Sequence, residues 1–412
     1  PYTTLFRSLA TSNKGDILDV TAPIRRLDHP NGEIWTFDPE RIADPNRKSA
    51  PWVWDLIASV QSIADAKRIA DCWRYASGQP QTGGDDFFPG TAAQQLADYL
   101  FAAHLGGRSV SDVFRWCSNE RDTSPADILS EYPRYAGIAS RVSSVIALTP
   151  ETRSGVFGSL QTMVAFLADP EIIDWIDPHR DTEGNIDERR GLFDPYEFAT
   201  SEDTLYLLSA QGRPSTALTA SLTAVVAFTA FQRAQSEFTD NNRRLPVPLC
   251  CVLDEAANIC RWPELADVYS YFGSAGIPIM TIWQNPDQGR AAFGETNFGS
   301  LFNNANITVY LGGIKDAKFL GEISQLVGQR EIVRGSVNID GTGRRSVNNS
   351  IQKENILDVS DLTEWPVGRA LLLASQSRAQ IVKTLPWTGN RQWADALAQA
   401  KAKARDEQRK AA

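Results

Sequence analysis

Five apolar residues, Leu249-Cys250-Cys251-Val252-Leu253, follow Pro246 and Pro248 and stop abruptly at the acid pair Asp254-Glu255. A run this short, bounded by prolines and lacking polar alternation, predicts a strand buried on both faces, as in a parallel sheet. Open α/β sheets bind ligands in the crevice outside the carboxyl ends of their strands, which is where the two acids would stand. Similar runs follow in "EDTLYLLSA" (202–210), "IPIMTIWQ" (277–284), "NITVYLGG" (306–313) and "GRALLLASQ" (368–376). Their alternation with helical segments predicts an α/β fold with a doubly wound parallel sheet. The longest apolar segment, Ala217–Phe231, is laced with Thr and Ser and falls short of the roughly 18 residues that span a bilayer, so it predicts a buried helix.

Other stretches read differently. Between Trp54 and Trp175 the apolar residues recur at three- and four-residue spacing between Gly, Pro and Asp breaks, predicting an all-helical insertion. Before it, "SLATSNKGDIL" ends an apolar stretch at the turn Asn13-Lys14-Gly15-Asp16. "DILDVTAPIRRL" reads as a short helix interrupted by Pro23, and "GEIWTFDPE" as a short strand. Residues 332–352 are polar and Gly-rich, predicting a loop or exposed hairpin, and the tail after Trp387 reads as a charged, Ala-rich helix. The opening "PYTTLFRS" fits nothing after it and reads as a foreign segment, so the chain is expected to be a fragment lacking its own N-terminus. The expected boundaries are therefore residues 1–8 foreign, 9–55 first part of the sheet domain, 56–195 helical insertion, 196–388 remainder of the sheet domain, and 389–412 tail.

The net charge of −9 excludes a generally basic nucleic-acid-binding chain, so contact with DNA would need a local basic stripe or a pore built by several subunits. The five cysteines have no metal-binding spacing, and His29, His104 and His179 are too scattered for a zinc site.

An apolar strand ending in Asp-Glu fits a nucleotide-hydrolysing Walker B strand. The Asp holds Mg2+ beside the phosphates, and the Glu orients the attacking water. A buried strand that merely ends in an acid fits the same residues. Gln284 ends a second strand, and neighbouring parallel strands open on one crevice, so its amide is expected to face Asp254 and Glu255. No G-x-x-x-x-G-K-[ST] phosphate loop occurs in the sequence, so this polypeptide is not expected to hold ATP tightly by itself.

From Leu9 to Trp387 the chain resembles the TraG/TraD-like coupling ATPases of bacterial conjugation and type IV secretion. "ATSNKGDILDVT", "GEIWTFDPERIA", "WVWDLI", "FFPGTAAQQLADYLFAAHLGG", "PVPLCCVLDEAANI", "GIPIMTIWQNPDQ", "NITVYLGG", "PVGRALLLAS" and "LPW" carry the resemblance. It implies a RecA-like P-loop NTPase motor with a parallel twisted sheet and an inserted all-α domain, the phosphate loop lying upstream of Leu9. It also implies ATP and Mg2+ as cofactors. Asp254 would be the magnesium-site acid, Glu255 the catalytic base, Gln284 the phosphate sensor, and Lys14 a residue near the nucleotide. The implied partners are single-stranded DNA, a relaxase or relaxosome, the secretion channel and five further copies in a homo-hexamer. Attachment would be to the cytoplasmic face of the cell membrane through an absent N-terminal region. Lys315, Lys318, Arg334, Arg344 and Arg345 could supply positive charge to a pore. Many members place an Arg where this chain has Gly273-Ser274-Ala275, which leaves Arg261, Arg290 and Arg330 as replacements to test. An FtsK-type double-stranded DNA translocase and a non-catalytic docking platform are the alternative functions.

Overall fold

The computed structural model describes residues 6–79, 87–178, 190–213, 215–339 and 345–411. The chain divides into two compact units, one of residues 1–284, 288–301 and 396–412, the other of residues 285–287 and 302–395.

In the first unit β1 (Arg7–Ser12) turns into α1 (Asp16–Asp28), which passes through Pro23 without ending, and then β2 (Ile34–Phe37). β3 (Trp52–Trp54) opens the helical block of α2 (Ile63–Ala76), α3 (Phe87–Leu105), α4 (Val110–Ser118), α5 (Ser124–Ser130), α6 (Ala136–Ile146), α7 (Pro150–Val164) and α8 (Pro170–Ile176). β4 (Gly191–Phe193) closes it by pairing in parallel with β3, and α9 (Pro195–Phe198) leads back to β5 (Thr204–Leu208). There follow α10 (Ser215–Glu237), β6 (Leu249–Leu253), α11 (Ala256–Ile259), α12 (Leu265–Val268), β7 (Ile279–Thr281), α13 (Pro286–Phe293) and α14 (Glu295–Asn304).

The main sheet has the order β2-β5-β1-β6-β7, every pair parallel. One face of its central strands is fully buried at Leu9, Leu205, Leu207, Leu249, Cys251 and Leu253, while Cys250 and Val252 on the other face of β6 are half-buried. Each such side chain stabilises the fold by about 1.5–3 kcal/mol of transfer free energy. α10 is long and apolar enough to cross a membrane by length and composition, but it is a core helix, packed by α2, α9 and α11 with most of its surface covered.

Sequence expectation and structure part at three places. Arg7 and Ser8, read as foreign, are the first two residues of β1 and pair with β6 and β5. The acceptors of the Arg7 side chain are remote in sequence. Its guanidinium donates to Ser201 O at 2.8 Å, Ala199 O at 2.6 Å and Val247 O at 2.9 Å. Burial, with a smaller push from Arg233, lowers its pKa to about 10, which leaves it charged at neutral pH. Second, the helical block is not a separate unit but shares one core with the sheet. Third, the strands at 306–313 and 368–376 do not join the parallel sheet.

Those strands belong to the second unit, which holds β8 (Ile307–Tyr310), α15 (Ala317–Val327), β9 (Gln329–Ile339), β10 (Arg345–Asn355), α16 (Val359–Thr363), β11 (Arg369–Ala374) and β12 (Gln380–Lys383). α17 (Arg391–Ala411) follows, as the Ala-rich tail predicts. β11 is antiparallel to both β8 and β12. An apolar strand does not encode the direction of its neighbour, so the run was legible and its pairing was not. The small core gathers Tyr310, Phe319, Leu320, Ile323, Leu362 and Leu371, and the Tyr310 hydroxyl donates to Leu362 O at 2.9 Å. β9 and β10 pair antiparallel, in the region where residues 332–352 were expected to form a loop or exposed hairpin; residues 340–344 lie outside the described residues.

Of the histidines, His29 is buried 3.7 Å from Glu202, His104 lies 3.3 Å from Ile57 O, and His179 is outside the described residues. Among the described residues no group of His, Cys, Asp or Glu is arranged to hold a metal by protein ligands alone, and all five cysteines are free.

Replacing Arg7 by Met keeps most of its volume but removes the donors to three carbonyls. We expect a loss of about 2 kcal/mol of unfolding free energy by urea denaturation. An unchanged midpoint would exclude Arg7 from the folded strand.

Candidate functional site

The parallel register decides which side chains meet. Leu253 lies beside Thr11 of β1 on one side and Thr281 of β7 on the other. Ile282 N donates to Leu253 O at 3.0 Å, and Thr11 Oγ1 donates to Asp254 O at 2.8 Å. The chain leaves β6 through a left-handed residue, Glu255, at φ 53° and ψ 38°. L-residues other than Gly take this region at a cost of order 1 kcal/mol or more, and such strain collects at functional sites. Here it turns the backbone straight into α11, so that adjacent carboxylates leave the strand tip in different directions.

Glu255 is held from two sides. Its Oε1 accepts from Gln284 Nε2 beyond the tip of β7, and its Oε2 accepts from Asn258 Nδ2 at 2.6 Å. Gln284 is exposed; Asn258 is buried. Gln284 is carried by a connection fixed at Trp283, whose ring packs edge-on to Phe293 and Phe298 and whose Nε1 donates to Thr281 Oγ1 at 2.8 Å. The structure thus brings Gln284 onto Glu255, next to Asp254, beyond the tips of β6 and β7. Asn258 was not singled out from sequence. Its only signal was a position three residues past the Glu, on a helix too short to be read.

Asp254 is half-buried, and its pKa is raised by that burial first, then by the neighbouring Glu255 charge and by Asp16, against a smaller opposing pull from Lys14. Lys14 is exposed, with its backbone N–H on Ser12 Oγ at 3.2 Å. Negative charge is therefore in excess around Asp254, the condition a divalent cation relieves. A single carboxylate is enough protein ligand for Mg2+ when phosphates and waters complete its octahedron, so Asp254 fits the ion. The phosphate cradle does not fit: no described loop supplies it, and the sequence lacks its motif.

The candidate arginines separate from this crevice in their bonding. Arg261 donates to Ala257 O at 3.1 Å and is half-buried, Arg290 pairs with Glu295 at 3.4 Å, and Arg330 pairs with Glu354 at 3.6 Å. The turn at Gly273-Ser274, where an Arg was looked for, is instead gripped by Arg244, whose Nη1 donates to Gly273 O at 3.0 Å and Ser274 O at 3.2 Å. Between β9 and β10 Arg334 pairs with Glu354 at 3.7 Å. Arg344 and the side chain of Arg345 lie outside the described residues.

Residues 248–367 match the family model described as the TraM recognition site of TraD and TraG. That segment is similar to the TraG/TraD family. No curated protein matches the sequence. Among solved structures, the bacterial conjugative coupling protein TrwBdeltaN70 in an unbound form aligns with a TM-score of 0.58 at 16% identity, over 93% of this chain and 85% of that one. TrwB in complex with ADP and Mg2+ aligns with a TM-score of 0.56 at 15% identity, over 92% and 86%. TrwB with a non-hydrolysable ATP analogue gives 0.57 at 14% identity, over 92% and 86%. The chain therefore has the α/β fold of these coupling-protein structures. Its family-matched segment contains Asp254, Glu255, Asn258 and Gln284.

The raised pKa of Asp254 has a definite sign. The folded state binds this proton more tightly than the unfolded one, so its contribution to stability is fully present below the ordinary Asp value of 3.8 and is lost as pH rises through the higher folded value. Asp254→Asn is expected to melt above the wild type at neutral pH, with the gap narrowing as pH falls toward 3.8. Mg2+ should raise the melting temperature of the wild type alone. Equal response of both proteins to the ion would remove Asp254 from the cation site.

Proposed function

We propose that this chain is the motor portion of a conjugative coupling ATPase, which uses ATP hydrolysis to deliver a single-stranded DNA–relaxase complex to a type IV secretion channel. The observation that carries the reading is the convergence of Asp254, Glu255 and Gln284 at the tips of two adjacent parallel strands. A cation-binding acid, a water-orienting acid and an amide reaching the same carboxylate are the parts that phosphoryl transfer to water needs on this side of the nucleotide.

In this reading Mg2+, bound at Asp254, supplies charge neutralisation for phosphate oxygens. Glu255 positions a water by accepting one of its protons at a carboxylate oxygen. Gln284, exposed and hydrogen-bonded to that carboxylate, is placed to leave it for a phosphate oxygen. Lys14 lends positive charge at the margin. The phosphates themselves would be held by residues outside this sequence, so no step is assigned to ATP on the chain alone.

The partners rest on the family likeness. A homo-hexamer would present basic side chains such as Lys315, Lys318 and Arg334 toward a central passage, which reconciles a net charge of −9 with an anionic cargo. The assembly would sit at the cytoplasmic face of the cell membrane through an N-terminal region beyond this sequence.

The test is ATP turnover by the full-length protein with and without single-stranded DNA, beside Glu255→Gln. Turnover stimulated by DNA and reduced about 100-fold or more in the variant is the expected result. Turnover that is absent, or untouched by the substitution, would favour a docking platform that recruits substrates without hydrolysis.

A further inference from the structure

Asn258 is tied to Glu255 twice. Its backbone N–H donates to Glu255 O at 2.8 Å while its side-chain Nδ2 donates to Glu255 Oε2 at 2.6 Å. The double tie closes a small ring around the left-handed turn that ends β6. Asn258 is 8% exposed, in a short helix whose other residues, Ala256, Ala257 and Ile259, are buried apolar side chains. A buried amide without a partner is costly, and packing alone would be served better by an apolar side chain of that volume. The carboxylate of Glu255 is what its Nδ2 meets.

The two amides on Glu255 are unequal. Gln284 is exposed, three residues beyond β7, and can swing away without vacating a packed site. Asn258 cannot, because its helix and its own backbone bond hold it. One carboxylate oxygen is therefore held permanently and the other conditionally.

We propose that Asn258 is a positioning residue for Glu255: it fixes Oε2 so that Oε1 is presented to the attacking water once Gln284 lets go. The inference rests on the ATPase reading of the site. Both carboxylate oxygens accept from amides, Oε1 from Gln284 and Oε2 from Asn258. Loss of the Gln284 contact frees Oε1 without letting the side chain rotate.

The test has two arms, both on the full-length protein. Selective 15N labelling of asparagine lets the Asn258 side-chain amide be observed, the resonance being assigned by its loss in Asn258→Leu. The expected result is a resonance that tracks the Glu255 carboxylate, displaced in the wild type and moved when Glu255→Gln removes that acceptor. In the second arm Asn258→Leu, which keeps the volume, should lower kcat roughly 10-fold or more with KM unchanged, as loss of a buried orienting partner commonly does. A side chain needed only for packing would tolerate Leu. An amide that ignores Glu255 overturns the proposal whatever the turnover, and so does a tracking amide with full kcat in Asn258→Leu. No turnover in the wild type overturns the functional reading on which this rests. That failure is told apart from loss of the contact because the amide readout needs no nucleotide.

Discussion

Everything at the candidate site depends on β6 being clamped in parallel between β1 and β7. Parallel pairing sends all three carboxyl ends the same way, and the register sets Leu253 level with Thr11 and Thr281. The next residues then have nowhere to go but out of the sheet. Thr11 Oγ1 takes the Asp254 carbonyl, Ile282 N takes that of Leu253, and the chain turns away at Glu255 through a left-handed backbone. A slip of one residue would send Leu253 to the crevice and a carboxylate into the core, which the buried apolar face of the strand forbids.

The helical insertion is anchored to this frame by aromatic rings rather than hung from a linker. The Trp52 ring meets Trp175 at 5.1 Å and Trp35 at 5.6 Å, and Phe37 meets Trp175 at 5.1 Å. These side chains come from β2, β3 and the end of α8, so the entry and exit of the insertion are packed against an edge of the sheet. Arg68 of α2 adds a second anchor. Its guanidinium lies 3.5 Å over the Phe228 ring of α10, and its Nε donates to Glu264 Oε2 at 2.9 Å, between α11 and α12. A half-buried ion pair is weak evidence for stability, but one that also stacks on an aromatic ring fixes orientation.

What could be read from sequence followed from what a residue pattern encodes. β5, β6 and β8 were legible as apolar runs, α10 as a buried helix, and the β9–β10 pair as polar and Gly-rich sequence. Asp254, Glu255 and Gln284 were legible because strand tips in a parallel sheet share a crevice. Arg7 was not, since its acceptors at Ala199, Ser201 and Val247 lie some 190 to 240 positions away. Nor was the antiparallel pairing of β11 with β8, because direction is a property of the connection and not of the strand. The pair β3–β4 was missed for the same reason: three residues on each side become strands only when the insertion brings them together.

The amides at Glu255 and the charges at Asp254 solve different halves of one electrostatic problem. Two adjacent carboxylates at a strand tip repel each other. Glu255 is met by two amide donors, which fix its direction. Asp254 has its pKa raised by burial first and then by the Glu255 charge, against one backbone donor. The asymmetry agrees with the roles proposed above. The carboxylate satisfied by protein donors has its direction set in advance. The one left with excess charge is the one that a cation would relieve. The left-handed turn at Glu255 separates the two residues at one strand tip.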